Sequence, residues 1–169
     1  MTSDPVQEHK KDAPRSVGFG LVTLSNSRGA GDDTSGDTIR DLLEQAGHSV
    51  VVRSWIRDDP AALRSTLDEM LTHSEVGAVV TTGGTGLSLT DITIETVRPL
   101  FEKELKGFQS LFAQLSYNEV GGAAMLSRAT AGVIRRKVIF CLPGSPAACR
   151  LAIESLLLPE IGHILKMLA

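Results

Sequence analysis

Four short stretches hold the residues best suited to chemistry: S-N-S-R-G-A-G-D-D-T-S-G-D at 25–37, I-R-D-D at 56–59, T-T-G-G-T-G-L-S-L-T-D at 81–91 and L-P-G-S-P at 142–146. In the third, Gly83, Gly84 and Gly86 permit backbone conformations closed to other residues and let amide groups approach a ligand closely, while Thr82 and Thr85 add hydroxyl donors. A helix starting just beyond it would turn its positive end to the same place, which favours an anion. The stretch lacks the Gly-Lys-Ser/Thr ending of a Walker A loop and is not G-x-G-x-x-G, so a hydride-transfer cofactor has little support. A phosphate cradle and a plain strand-to-helix turn both remain open.

The carboxylates divide in the same way. Asp91 stands where the next helix should begin and reads either as its N-cap or as a ligand-facing group. Asp58 is different, because Asp59 followed by Pro60 already supplies a helix cap and leaves Asp58 without an obvious structural duty. Two carboxylates at one edge would suit Mg²⁺, which prefers one or two carboxylates together with substrate phosphates and water. Ser145, between Gly144 and Pro146, is an N-cap or part of an anion-receiving helix end. Cys141 lies in an apolar run with no histidine nearby, which is the pattern of a buried, inert thiol. The four histidines are scattered, and no C-x-x-C pair suggests zinc.

These loops need a frame to hold them. Apolar runs of strand length occur at 16–25, 48–56, 76–82, 129–134 and 137–142, the last two separated by Arg135 and Arg136. Helical spacing follows at 38–47, at 59–73 from the Asp59 cap, at 92–105 with Pro99 kinking or dividing it, and at 107–120. A last helix begins after Ser145, with Pro146 in its first position and a break near Pro159. Strands alternating with helices predict an α/β fold: an open, mostly parallel sheet with helices on both faces, in three layers. In such a sheet ligands bind beyond the carboxyl ends of the strands, which is where all four stretches fall.

Composition narrows the classes further. The 169 residues fit a single domain over 16–169 behind a disordered tail over 1–15. A formal net charge of -3, with no Lys/Arg-rich arm, argues against nucleic acid. The first residues lack the apolar stretch of a signal peptide, no run approaches the length of a membrane span, and only two cysteines occur, so the expected location is the cytoplasm.

T-T-G-G-T-G followed by Asp91, Thr93 and Glu95, G-F at 107–108, L-S at 115–116, L-S-R-A at 126–129, A-G-V at 131–133 and L-P-G-S-P at 142–146 together resemble the MoaB/MogA family of molybdenum cofactor biosynthesis. The similarity runs from about Val17 to the end and is closer to MoaB through D-T-S-G at 33–36 and G-F-Q-S-L-F at 107–112. It implies a molybdopterin-binding fold assembled as a homo-oligomer, either a trimer or a hexamer built as a dimer of trimers. It also implies an activity, molybdopterin adenylyltransferase, which moves AMP from Mg-ATP to the molybdopterin phosphate and releases pyrophosphate. The family's catalytic, Mg²⁺-holding carboxylates fall on Asp58 and Asp91. The phosphates of molybdopterin and ATP would meet Ser25, Ser27, Thr82, Gly83, Gly84, Thr85, Gly86, Pro143, Gly144 and Ser145. Relatives often carry Asp at Asn26, proline at Arg57 and Ile94, and a basic residue at Thr90. A non-catalytic molybdopterin carrier or scaffold of the same pathway is the other reading, and the missing charges at Thr90 and Asn26 are its marks.

Overall fold

The computed structural model describes residues 13–26 and 29–169, so the tail expected over 1–15 lies outside the described residues as far as residue 12. Strand β1 (Gly18–Leu24) is followed by α1 (Thr34–Gln45), β2 (Ser49–Ile56), α2 (Pro60–Thr72) and β3 (Ala78–Thr82). Next come α3 (Thr93–Val97), β4 (Lys103–Glu104), α4 (Lys106–Val120), β5 (Thr130–Ile134) and β6 (Lys137–Leu142). Helices α5 (Pro146–Ala152) and α6 (Leu158–Leu168) end the chain. The strands form one six-stranded sheet in the order β2-β1-β3-β6-β5-β4. The β2-β1-β3-β6 block is parallel; β5 runs antiparallel to β6, and β4 antiparallel to β5.

The apolar runs are continuous because the central strands are covered on both faces. On one face, α1, α4, α5 and α6 pack over Phe19, Leu21, Val80 and Phe140, with Ile39, Leu43 and Phe112 between them. On the other, α2 lays Leu63, Leu67 and Met70 over Val22, Val79 and Ile139. Each fully buried Leu or Ile contributes about 1.5–3 kcal/mol, so the two faces together hold the sheet edge rigid for the loops that leave it.

Capping follows the expected chemistry at three helices. Asp33 accepts from the Gly36 amide, Asp59 from the Ala62 amide at 2.7 Å and Ser145 from the Ala148 amide at 3.2 Å. Such a cap stabilises a helix by about 0.5–2 kcal/mol. Arg135 and Arg136 form a two-residue hairpin turn, both at positive φ, 49° and 62°. That is the backbone which matches the twist of the flanking strands, though two non-glycine residues rarely adopt it. Long-range bonds hold the arginines there: Arg135 Nη1 donates to Asp68 at 2.6 Å, and Arg136 Nε donates to the Leu168 carbonyl at 3.0 Å.

Two expectations are corrected. The helix predicted over 92–105 stops at Val97, continues as one 3₁₀ turn over Arg98–Leu100 and gives way to the short edge strand β4. Pro99 removes a donor, and the Phe101 ring fills the space that Gly132 leaves open on β5, which draws the chain out alongside the sheet. No break occurs near Pro159. A π turn over Ile153–Leu157 joins α5 to α6, with the Leu158 amide donating to the Ile153 carbonyl, so the hydrogen-bond ladder shifts by one residue just before the proline.

Candidate active site

The loops after β1, β2, β3 and β6 meet at the carboxyl edge of the sheet and enclose a cleft of about 560 Å³. It gathers Ser25, Asp58, Thr82, Gly83, Gly84, Thr85, Gly86, Asp91, Pro143, Gly144 and Ser145 from the sequence-predicted set. Ser27 lies outside the described residues, as does Arg28.

The glycine loop is shaped by what it must clear. Gly83 has φ 95°, donates its amide to the Leu142 carbonyl at 3.1 Å, and leaves no room for a Cβ beside the Leu24 carbonyl. A Cβ on Gly84, φ 62°, would stand 2.5 Å from both Asp58 Oδ1 and Thr93 Oγ1. On Gly86 it would stand 2.7 Å from Asp91 Oδ2. The second and third glycines therefore each make room for one carboxylate, a role the letters alone did not disclose.

Asp91 is not a helix cap. The residue before α3 is Ile92, which offers no capping side chain, and Asp91 Oδ2 instead accepts from the Ser88 amide at 2.8 Å while its own amide donates to the Ser88 carbonyl at 3.0 Å. The carboxylate closes the turn 88–91 and faces the cleft. The job of pinning α3 falls to Thr93, whose amide donates to the Gly84 carbonyl and whose hydroxyl donates to the Gly83 carbonyl, both at 2.8 Å.

Asp58 receives less support. Its amide donates to Asn26 Oδ1 at 3.2 Å, and its own Oδ1 is buried with no hydrogen-bond partner among the described residues. Burial first, and the neighbouring Asp91 charge second, raise its carboxyl above the usual carboxylate range. A buried carboxylate oxygen without a donor is costly, and a cation would be a partner able to offset that cost at Asp58. The donor set of two carboxylates, loop hydroxyls and space for water fits Mg²⁺ by ligand type.

Other side chains prove to be occupied. Thr82 is fully buried, donates its hydroxyl to the Pro143 carbonyl at 2.9 Å and lies 3.2 Å from Cys149 Sγ, so it ties β3 to the L-P-G-S-P loop. Ser35 Oγ donates to the Gly144 carbonyl at 2.7 Å and ties the same loop to α1. Asp33, 6% exposed, accepts from Thr23, Arg53 and the Gly36 amide. Burial pushes its carboxyl up, but those donors and the Arg53 charge outweigh this and leave it below the usual value. Burial pushes the Cys141 thiol up to about 12 and that of Cys149 to about 11, so neither is a nucleophile.

Arg128 and Trp55 are among the cleft residues that the sequence reasoning did not assign to the site. Arg128 donates Nε to the Thr85 carbonyl at 2.8 Å and Nη2 to the Gly86 carbonyl at 2.6 Å, and it pairs with Glu95. Its position inside L-S-R-A was the available signal. Trp55, the one tryptophan of the chain, lines the cleft from β2, and its Nε1 is buried without a partner among the described residues.

Residues 17–163 match the model of a family described as a probable molybdopterin binding domain. The chain belongs to the MoaB/MogA family. Molybdenum cofactor biosynthesis protein B of Bacillus cereus is 45% identical over 160 residues, 94% of this chain and 95% of that protein. A protein named molybdopterin adenylyltransferase in Pyrococcus furiosus is 43% identical over 167 residues, covering 95% and 96% of the two chains. A crystal structure of a molybdenum cofactor biosynthesis protein B superposes with a TM-score of 0.89 at 43% identity, over 92% of this chain and 98% of that one.

Within this MoaB/MogA-family chain the departures at Asn26 and Thr90 have visible consequences. Asn26 supplies the acceptor for the Asp58 amide without adding a third negative charge beside Asp58 and Asp91. Thr90 bonds its hydroxyl to Ser88 Oγ at 3.1 Å and contributes no charge to the cleft, and Arg57 does not line it. Arg128 is the only Lys or Arg lining the cleft among the described residues, and it is already paired with Glu95.

Proposed function

We propose that the cleft is the active site of a molybdopterin adenylyltransferase that transfers AMP from Mg-ATP to the terminal phosphate of molybdopterin and releases pyrophosphate. The observation that carries this reading is the orphaned, buried Oδ1 of Asp58 in the same cleft as Asp91, each carboxylate matched to a glycine of the 83–86 loop. A phosphate-binding carrier has no use for two carboxylates that pair with no Lys or Arg among the described residues, because they would repel its ligand.

The chemistry asks little of a general base. A phosphomonoester oxygen is already charged; it attacks the α-phosphorus of ATP, the new P–O bond forms as the α–β bridge breaks, and pyrophosphate leaves with the electron pair. Asp58 and Asp91 would hold Mg²⁺, which when bound neutralises developing phosphate charge. The chain's own part is positioning. Glycine-loop amides and the loop at 143–145 orient phosphate oxygens, and Asp91, fixed by the Ser88 amide, keeps its geometry as substrates enter.

The same reading includes a homo-oligomer, trimer or hexamer. Leu111, Tyr117 and Val120 on α4, with Met125 and Leu126 just beyond it, leave large apolar side chains open to solvent, as an assembly interface requires. It also places the protein in the cytoplasm, where thiols such as Cys141 and Cys149 stay reduced; among the described residues no helix is long and apolar enough to cross a membrane. The deciding experiment incubates purified protein with molybdopterin, Mg²⁺ and ATP and measures pyrophosphate. Release above background supports the enzyme, whereas molybdopterin binding without release leaves the carrier.

A further inference from the structure

We propose that Arg128 is a positioning residue that polarises the glycine loop. It draws the carbonyls of Thr85 and Gly86 to one side, so that the Gly86 and Leu87 amides are presented to substrate phosphate. This rests on the adenylyltransferase reading only for the identity of the phosphate.

The guanidinium reaches three acceptors at once: the Thr85 carbonyl through Nε, the Gly86 carbonyl through Nη2, and the Glu95 carboxylate, which it meets through both Nη1 and Nη2. A planar fork with five N–H groups can do this; an ammonium cannot match it. In a trans peptide the carbonyl and the following N–H point in opposite directions. With both carbonyls turned toward Arg128, the N–H groups of Gly86 and Leu87 must point away from it. They donate to no acceptor among the described residues, although the next amide, Ser88, is taken by Asp91. Successive amides held open in this way form an anion-binding concavity.

Glu95 is what makes this a loop-setting device rather than a substrate-binding charge. It projects from α3, the helix pinned to the loop by Thr93, so the arginine is held from the element that follows the loop and acts back on the loop itself. Its charge is largely matched by Glu95, which the guanidinium in turn lowers below the ordinary carboxylate range. The lever on the substrate is therefore the orientation of the peptide planes.

The test uses inorganic pyrophosphate with Mg²⁺ as the probe, followed by the amide resonances of Gly86 and Leu87 in ¹⁵N-labelled protein and by the fluorescence of Trp55, the one tryptophan. In the wild type, pyrophosphate should move both resonances. Arg128→Lys and Arg128→Met should weaken binding equally, by about tenfold or more, with unfolding midpoints within a few degrees of the wild type. Glu95→Gln, which leaves Arg128 in place at an exposed position, should weaken it by about threefold and serves if the arginine variants fail to fold. Arg128→Lys binding like the wild type would make the residue a simple charge and overturn the proposal, as would resonances of Gly86 and Leu87 that ignore the probe. Catalytic pyrophosphate release is measured separately, so a protein that fails that assay but shows the amide response retains this inference while losing the assigned reaction.

Discussion

Replacing Gly84 with alanine separates the catalytic geometry from the stability of the fold. The new Cβ would lie 2.5 Å from Asp58 Oδ1 and from Thr93 Oγ1, where ordinary contact begins near 3.4 Å. Something must move by about 0.9 Å, since the shortfall is the difference between those two distances. Thr93 Oγ1 is equally close, but Thr93 is held by hydrogen bonds to the Gly83 and Gly84 carbonyls, so its clash strains those bonds and adds to the stability cost. Asp58 Oδ1, with no hydrogen-bond partner among the described residues, is the group that moves. A non-glycine residue at φ 62° adds roughly 1–2 kcal/mol of backbone strain, which lowers the unfolding midpoint by roughly 2–8 °C. Moving a catalytic group by this distance costs about a hundredfold in turnover. Pyrophosphate release and thermal unfolding should therefore diverge: a folded protein, slightly destabilised, with about 1% of its activity. Gly107→Ala is the control, because nothing lies within 4 Å of its added Cβ and alanine favours the helix there by roughly 0.5–1 kcal/mol. Turnover of Gly84→Ala within twofold of the wild type would refute the idea that this glycine exists to seat Asp58.

Asp91→Asn retains an oxygen that accepts from the Ser88 amide, so it should fold normally and keep most molybdopterin affinity while losing at least about a hundredfold in pyrophosphate release. Asp58→Asn should lose turnover yet stabilise the unliganded fold. The raised carboxyl binds its proton more tightly when folded, so its stabilising contribution is complete below 3.8 and is lost as pH rises through the folded value; at neutral pH the variant should melt above the wild type, read by calorimetry without divalent cations. Asp33→Ala removes the α1 cap and the partner of Arg53 and Thr23 and should cost about 2–3 kcal/mol in urea denaturation. The lowered Asp33 carboxyl contributes above 3.8 and loses that contribution as pH falls through its folded value, so the difference between wild type and variant should shrink in strong acid.

The legible parts of the sequence were those governed by local chemistry. Asp59 before Pro60 and Ser145 before Pro146 announce their helices because a cap and a fixed φ act within one turn. The buried strands announced themselves by unbroken apolar runs. The segment after Asp91 did not, because its apolar spacing suits a helix while the Phe101–Gly132 contact and pairing with β5 impose an edge strand, and that partner is nearly thirty residues away. The two readings of Asp91, cap and ligand-facing group, stayed open for a related reason: a carboxylate before a helix looks alike whether it turns toward the helix or back to Ser88. Arg128 showed only as a member of L-S-R-A, and its contacts stayed hidden because its partners on the loop are main-chain carbonyls, which carry no sequence signature. Pairing of Asp58 with Gly84 and of Asp91 with Gly86 likewise appears only once the loops converge.

The place of β6 in the sheet bears on how the protein is made. It is the last strand in the chain, yet it lies between β3 and β5 and alone joins the β2-β1-β3 half to the β5-β4 half. A nascent chain that has emerged only as far as the Arg135–Arg136 turn holds two unconnected part-sheets with open edges, and the turn, by folding β6 back along β5, presents the strand that closes the gap. The glycine loop meets its neighbour at 142–144 only at that moment. The site is therefore complete only once β6 has docked, and until then β3 presents an open edge of the kind that favours aggregation.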